Sequence, residues 1–278
     1  MKLAPEAIDD FVHRALDEDL GAGDLTSNSV IPKDARLLAT LGAREPLVLA
    51  GLPAALAVFR ALDPACRSDT QNKDGDRVHE GDVIGTVEGA ARSLLSAERT
   101  ALNILQHLSG IATLTRRYVD EIAGTGAVLL DTRKTIPGLR HLQKYATAVG
   151  GAQNHRIGLY DGVLIKDNHV AVAGGIEAAI VAARAAGLED VEVECDTLDQ
   201  VRDALDAGAA RLLLDNMTPD TLREAVKLSA GRARLEASGG ITLDTIRAVV
   251  ETGVDYISVG RITQSAPAVD IGLDYASV

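Results

Sequence analysis

The sequence predicts an α/β protein in which a barrel-like array of about six parallel strands, each followed by a helix, is preceded by a separate α+β domain. Three observations carry this. From about residue 128 onward, short Val/Ile/Leu-rich runs alternate with Ala-rich stretches of helical spacing, the pattern of parallel strands joined by crossover helices. Nearly every run ends in polar or ionisable residues, as a barrel mouth built from strand ends requires; an open doubly wound sheet reads similarly but concentrates its site at one switch point. The first hundred or so residues instead mix helices with hairpin-like turns, and 278 residues leave room for a large and a small domain.

Taken in order, the spacing predicts a helix over residues 5–16, a strand over 37–43 and a helix over 53–62. Residues 74–78 and 80–88 alternate turn chemistry with β-branched residues, much like the hairpins of biotinyl and lipoyl carrier domains. A carrier places its modified lysine in an exposed turn, and residues 88–92 contain none, so the segment reads as scaffold. Ser96 reads as the N-cap of a long helix running to about Ala123, with Glu98 in its first turn. Strands are then expected at 128–131, 162–165, 191–194, 211–214, 234–237 and 256–259. The helices between them fall at 139–149, 176–186, 198–207, 219–229 and 243–252, several entered through Thr, Asp or Pro and left through Gly.

The apolar fraction of 46% is ordinary, and nothing resembles the run of about 18 apolar residues needed to cross a bilayer. Glu6, Asp9, Asp10, Asp17, Glu18 and Asp19 are the wrong composition for a presequence, so a cytoplasmic location is expected. Cys66 and Cys195 lie far apart without a CxxC or His cluster and read as buried small apolar residues. A net charge of -12 argues against nonspecific binding to nucleic acid or anionic membranes, so any anion site must be local.

One segment inverts the sign. Residues 131–170 carry Arg133, Lys134, Arg140, His141, Lys144, His155, Arg156, Lys166 and His169 against only Asp131, Asp161 and Asp167. Arg140 and Lys144, four apart in a predicted helix, read as a solvated face. Arg133 and Lys166 sit just past apolar runs and should face the mouth, where fixed cations suit a small polyanion. Glu194 and Asp215 end the next two strands; Glu192, Glu194 and Asp196 share one face and Cys195 the other. Such carboxylates could bind Mg²⁺, accept hydrogen bonds from ribose hydroxyls or stabilise a developing cation. The last strands end in Ser238-Gly-Gly and Ser258-Val-Gly-Arg261, where small residues let backbone N–H groups approach a phosphate. Acid-binding cations, a carboxylate pair and a phosphate cradle together fit phosphoribosyl transfer.

Asp131-Thr-Arg-Lys-Thr135, Gly151-Ala-Gln-Asn-His-Arg156, Ile165-Lys-Asp-Asn-His169, Glu192-Val-Glu194, Leu214-Asp-Asn216 and Ser238-Gly-Gly240 resemble the motifs of the quinolinate phosphoribosyltransferase family. Glu18-Asp-Leu-Gly21, Gly23-Asp-Leu-Thr26 and Glu98-Arg-Thr-Ala-Leu-Asn103 extend the resemblance over nearly the whole chain. It implies an α/β sandwich domain over 1–112, joined by the tail 267–278, and an incomplete βα barrel of six or seven parallel strands over 113–266. It also implies transfer of phosphoribose from phosphoribosyl pyrophosphate to quinolinate, with decarboxylation, in NAD biosynthesis.

On this resemblance Arg133, Lys134, His155, Arg156 and Lys166, with Thr132 beside them, bind the quinolinate carboxylates and the pyrophosphate end of the other substrate. Glu194 and Asp215 hold ribose hydroxyls and Mg²⁺, and Ser238, Gly239, Gly240, Val259, Gly260 and Arg261 hold the 5-phosphate. Lys134, Lys166, Glu194 and Asp215 are expected to carry the chemistry. Arg99 would reach the partner's active site in a homodimer; a cation in a first helical turn opposes the helix dipole, which points to another purpose. Two alternatives stand beside this: a same-fold relative associated with molybdate transport operons, separated by the identity of its phosphoribosyl acceptor, and a noncatalytic metabolite-binding barrel, which predicts ligand binding without pyrophosphate release.

Overall fold

The computed structural model describes residues 3–277, which divide into two compact units. The first holds the chain up to Arg116, His141–Gly150 and the chain from Ala266 onward; the second holds Arg117–Arg140 and Gly151–Ser265. The chain opens with α1 (Pro5–Leu20), α2 (Leu25–Val30), β1 (Arg36–Ala43), β2 (Leu47–Val48), α3 (Leu52–Leu62), β3 (Arg67–Thr70), β4 (Arg77–Val78), β5 (Val83–Ala90) and α4 (Ala91–Glu121). There follow β6 (Val128–Leu130), α5 (Arg140–Gly150), β7 (Leu164–Ile165), α6 (Asp167–Ala173), α7 (Ile176–Ala185), β8 (Glu192–Cys195) and α8 (Leu198–Asp206). The chain ends with β9 (Arg211–Asp215), α9 (Pro219–Ser229), β10 (Arg234–Ser238), α10 (Leu243–Val250), β11 (Tyr256–Ser258), α11 (Arg261–Gln264) and β12 (Ile271–Ser277).

In the first unit an antiparallel sheet has the order β12-β1-β5-β3, and β12 runs beside β1 from Ala43↔Ile271 to Leu37↔Ser277. The segment 88–92 is a strand running straight into a helix rather than a hairpin turn. Helix α4 therefore begins earlier than its sequence indicated. Ser96 caps nothing: it lies inside the helix, and its hydroxyl donates to Asp24 Oδ2 at 2.8 Å, while Asp24 itself caps α2. Glu98 and Arg99 consequently sit in the third turn, and the dipole argument for Arg99 does not apply. Arg140 and Lys144 are corrected too. Lys144 is completely buried, and the Arg140 guanidinium is spent on Thr135 Oγ1, Ile157 O and Arg133 O.

The second unit is a six-stranded parallel sheet of order β6-β11-β10-β9-β8-β7. Strands β6 and β7, consecutive along the chain, lie at its two edges, so the barrel is incomplete between them. The loop after α5 runs along that seam: Leu130 bridges Gln153, whose N–H donates to Leu129 O at 2.9 Å. Strand alternation makes Val193, Cys195, Leu212, Leu214, Leu235, Ala237 and Ile257 a buried apolar layer, and turns Glu192, Glu194, Asp215, Glu236 and Ser238 the other way. Among the described residues no helix is long and apolar enough to cross a membrane.

The first unit depends on one close approach. A Cβ on Gly110, in the middle of α4, would lie 2.0 Å from the backbone oxygen of Pro267. Backbone cannot yield as a flexible side chain can, so Gly110→Ala should destabilise the protein by about 1–3 kcal/mol despite alanine's better helix propensity. Chemical denaturation measures this; unchanged or increased stability would show that the tail does not pack against α4.

Candidate active site

The C-terminal ends of the parallel strands surround a cavity of about 450 Å³. Every residue singled out from the sequence as a site residue lines it except Arg99, which is exposed on α4 in the first unit. Thr132, Arg133 and Lys134 follow β6, and their loop is pinned by Lys134 N–H to Thr132 Oγ1 (3.0 Å) and by Thr263 Oγ1 to Lys134 O (2.7 Å). His155 and Arg156 come from the seam loop, where the buried Asp131 carboxylate accepts the His155 N–H (2.8 Å) and the Asn154 amide (2.7 Å).

Cations crowd one side. Burial, and then the charge of Arg133, lower the pKa of Arg156, which donates to Gly162 O at 3.0 Å. The Arg133 Nε is buried without a hydrogen-bond partner. An unsatisfied buried donor beside a second guanidinium is disfavoured alone and relieved by an anion. On the facing strands, Lys166 Nζ meets Glu194 Oε2 at 2.5 Å. Asp215 has its pKa raised by burial and then by the charges of Glu194 and Asp196. Carboxylates held together in this way attract a dication or a developing positive charge.

The small residues at the last strand ends are there for geometric reasons. Gly239, at φ +97°, has Asn216 Oδ1 only 2.2 Å from where a Cβ would stand, so the ends of β9 and β10 could not meet with any side chain between them. Gly240 has open space on that side, and a Cβ on Gly260 would press to 2.8 Å from Lys134 Cδ. Cys195 is buried away from the cavity, its thiol pushed up to about 12 by burial, which rules out a nucleophilic role for it.

Sequence reasoning missed the layer beneath. Glu236, 1% exposed, lies on the cavity floor. His155 Nε2 is 3.1 Å from Glu192 Oε2 and 3.5 Å from Glu236 Oε2, and Arg211 Nη2 stands 3.7 and 3.9 Å from the same two carboxylates. His155 Nδ1 accepts the Arg156 N–H at 2.8 Å, so the ring proton sits on Nε2 and is directed at Glu192. Burial, and then the charge of Glu192, push Glu236 up to about 7. For His155, burial opposes the charged form, but the Glu192 hydrogen bond and the two carboxylate charges outweigh it and raise the pKa. The available signal was an ionisable residue amid Leu235 and Ala237, on the strand face it shares with Ser238.

Comparison with known proteins adds relatives of this architecture. The profile of the quinolinate phosphoribosyl transferase C-terminal domain matches residues 111–274, and that of the N-terminal domain matches 24–109. A probable nicotinate-nucleotide pyrophosphorylase [carboxylating] of Bacillus subtilis is 46% identical over 259 residues, covering 92% of this chain and 89% of its own. The Mycobacterium leprae nicotinate-nucleotide pyrophosphorylase [carboxylating] is 45% identical over 279 residues, 97% of each chain. The solved nicotinate-nucleotide pyrophosphorylase of Francisella tularensis superposes with a TM-score of 0.95 at 40% identity, covering 99% of this chain and 98% of that one.

Glu236 gives stability a pH dependence. Its folded pKa lies above the ordinary 4.5, so its favourable contribution is complete below that value and is lost as pH rises through about 7. The difference in Tm between wild type and Glu236→Gln should shift in favour of the variant between about pH 5 and about pH 8. Thermal melts across that range check this; a constant difference would mean that Glu236 carries no raised pKa.

Proposed function

Because this chain belongs to the quinolinate phosphoribosyltransferase family, we propose that its cavity transfers phosphoribose from phosphoribosyl pyrophosphate to the nitrogen of quinolinate, with decarboxylation to nicotinate mononucleotide. The observation that carries this is a single cavity in which Arg133, Lys134, Arg156 and Lys166 face Glu194 and Asp215 beside the Ser238-Gly-Gly240 and Val259-Gly-Arg261 turns. In a protein of net charge -12 such a cation cluster is a receptor for a small polyanion rather than a general surface property.

In this reading Arg133, Lys134, Arg156 and Lys166, beside Thr132 and His155, hold the two pyridine carboxylates and the pyrophosphate end. Gly239, Gly240 and Gly260 let main-chain N–H groups reach the 5-phosphate, together with Ser238, Val259 and Arg261, next to the start of α10. Glu194 and Asp215 accept hydrogen bonds from the ribose hydroxyls. The same pair suits Mg²⁺, since both offer hard oxygen donors and the pKa of Asp215 is raised by burial and then by the like charges of Glu194 and Asp196. When bound, Mg²⁺ would neutralise charge on the departing pyrophosphate.

As the ribose–pyrophosphate bond breaks, the carboxylates of Glu194 and Asp215 stabilise positive charge at the ribose carbon, while Arg133 and Arg156 hold the pyridine nitrogen in line to attack. Once quaternised, that nitrogen stabilises the electron pair left when the adjacent carboxylate departs as CO₂. Lys134 and Lys166 counter the charge developing on the leaving groups. The Bacillus subtilis and Mycobacterium leprae relatives support a cytoplasmic placement. The exposed position of Arg99, outside its own cavity, supports a homodimer in which it reaches the partner's site.

Incubation with quinolinate, phosphoribosyl pyrophosphate and Mg²⁺ should release pyrophosphate, CO₂ and nicotinate mononucleotide in equal amounts, and nicotinate in place of quinolinate should not react. Pyrophosphate release only with another acceptor would overturn the substrate. Lys134→Ala and Arg156→Ala should each raise KM for quinolinate by about 10- to 100-fold, the worth of one or two charge-assisted hydrogen bonds; near-normal kinetics for both would sink their assignment. Arg99→Ala and Lys134→Ala subunits, each weakly active alone at subsaturating quinolinate, should recover about a quarter of wild-type activity when co-assembled at random, since half of the dimers are mixed and each of those has one intact site. No recovery in dimers verified as mixed would place Arg99 outside the partner's site.

A further inference from the structure

Glu236 has no part in the substrate contacts assigned above, yet it lines the same cavity from below. Neither of its carboxyl oxygens makes a hydrogen bond of good geometry, although the residue is 1% exposed; its nearest cationic groups, His155 and Arg211, stand at 3.5 and 3.9 Å. An ionised carboxylate in that position is strongly disfavoured, and a protonated one much less so. The groups around it decide the form it takes. Burial and the like charge of Glu192 on β8 favour the protonated form, against the smaller opposing effects of His155, the Ser258 hydroxyl on β11 and Arg211. His155 Nε2 at 3.5 Å aims its proton at Glu192 instead, and the Arg211 guanidinium, at 3.9 Å, also stacks 5.3 Å over Tyr256. Glu236 is thus a buried acid that holds its proton more tightly than an ordinary carboxyl does, in a site where a ring carbon must acquire one.

Strand register places this acid against the reacting part of the substrate. Leu213 pairs with Glu194 on one side and with Glu236 on the other, so the two carboxyl-bearing residues stand at one level of the barrel. The cations expected to hold quinolinate and the carboxylates expected to hold ribose line the same cavity.

We propose that Glu236 donates the proton that replaces the departing carboxylate on the pyridine ring, an inference that rests on the phosphoribosyl-transfer reading above. The bond between the ring carbon and its carboxylate breaks, CO₂ leaves, and the bonding pair stays on the carbon beside the quaternary nitrogen. As that pair develops, the Glu236 O–H bond breaks in the same step and its proton forms the new C–H bond, so that CO₂ departure draws on the acid and leaves Glu236 ionised. His155 Nε2–H, only 0.4 Å farther from Glu236 than from Glu192, can turn its hydrogen bond to the new carboxylate, with Arg211 close behind. After product release Glu236 regains a proton from water, so each turnover consumes one proton.

The test separates the two halves of the reaction. In a single turnover with saturating substrates, pyrophosphate, CO₂ and the undecarboxylated dicarboxylate nucleotide are followed for wild type, Glu236→Gln and Glu236→Asp. Glu236→Gln should release pyrophosphate within about threefold of the wild-type rate, release CO₂ at least about tenfold more slowly, and accumulate the dicarboxylate nucleotide. Glu236→Asp, which keeps an ionisable acid, should recover part of the CO₂ rate. Equal slowing of both products, or no slowing of either, overturns the proposal. The wild-type protein supplies a readout that no folding defect can confuse: its CO₂ release should slow from about pH 6 to about pH 9 while pyrophosphate release does not, and parallel pH profiles overturn the proposal. Should wild type release no pyrophosphate with quinolinate, the phosphoribosyl-transfer reading itself fails, a result distinct from a wild type and a Gln variant that both decarboxylate at full speed.

Discussion

The buried carboxylate of Asp131 holds together the one place where the barrel is open. Six parallel strands ordered β6-β11-β10-β9-β8-β7 leave their first and last members unpaired with each other. Backbone bonds between Gln153 and both Leu129 and Asp131 lay the following loop against β6, and Asp131 then captures the His155 N–H and the Asn154 side chain. Charge-assisted bonds to a fully buried acceptor are short and directional, so the loop has one available position. That position turns the His155 ring toward Glu192 and sets Arg156 near Arg133. The cationic half of the site is therefore a consequence of how the seam is closed.

Like charges are crowded on both halves of the cavity. Arg133 disfavours the charge of Arg156, as Glu194 and Asp196 disfavour that of Asp215. Lys166 bound to Glu194 offsets only part of this. A site so arranged is electrostatically incomplete, and a ligand that brings carboxylates and phosphates to one side and positive charge to the other removes both deficits together. Rigid strand ends keep the two halves from collapsing onto each other, which would neutralise them without a substrate.

What was legible in the sequence follows from where each residue lies on its element. Strand ends were readable because apolar runs stop there: Arg133, Lys166, Glu194 and Asp215 all line the cavity. The α4 start was not, because β5 passes into helix at Ala90–Ala91 without a capping residue, and Ser96 offered a cap signal that Asp24 uses otherwise. Arg140 and Lys144 had the spacing of a solvated face, yet α5 is enclosed, and a period of four cannot report which side of a helix another segment covers. Glu236 escaped notice since attention fell on strand ends, although its alternation with Ser238 was visible.

A strand-centre glutamate needs a reason other than packing. The residues flanking Glu236 along β10 are Leu235 and Ala237, and a leucine of similar volume in its place would carry no desolvation cost. The chain instead keeps a buried acid with no close hydrogen bond among a cluster of bases, with Glu192 raising its proton affinity further. Local rules of burial are broken at this point of the barrel while the neighbouring apolar layer obeys them, the pattern expected where a fold gives up stability to hold a reactive group. Depth matters as well. An acid open to water would ionise readily, whereas a buried one holds its proton more tightly and still lines the cavity where the ring must bind.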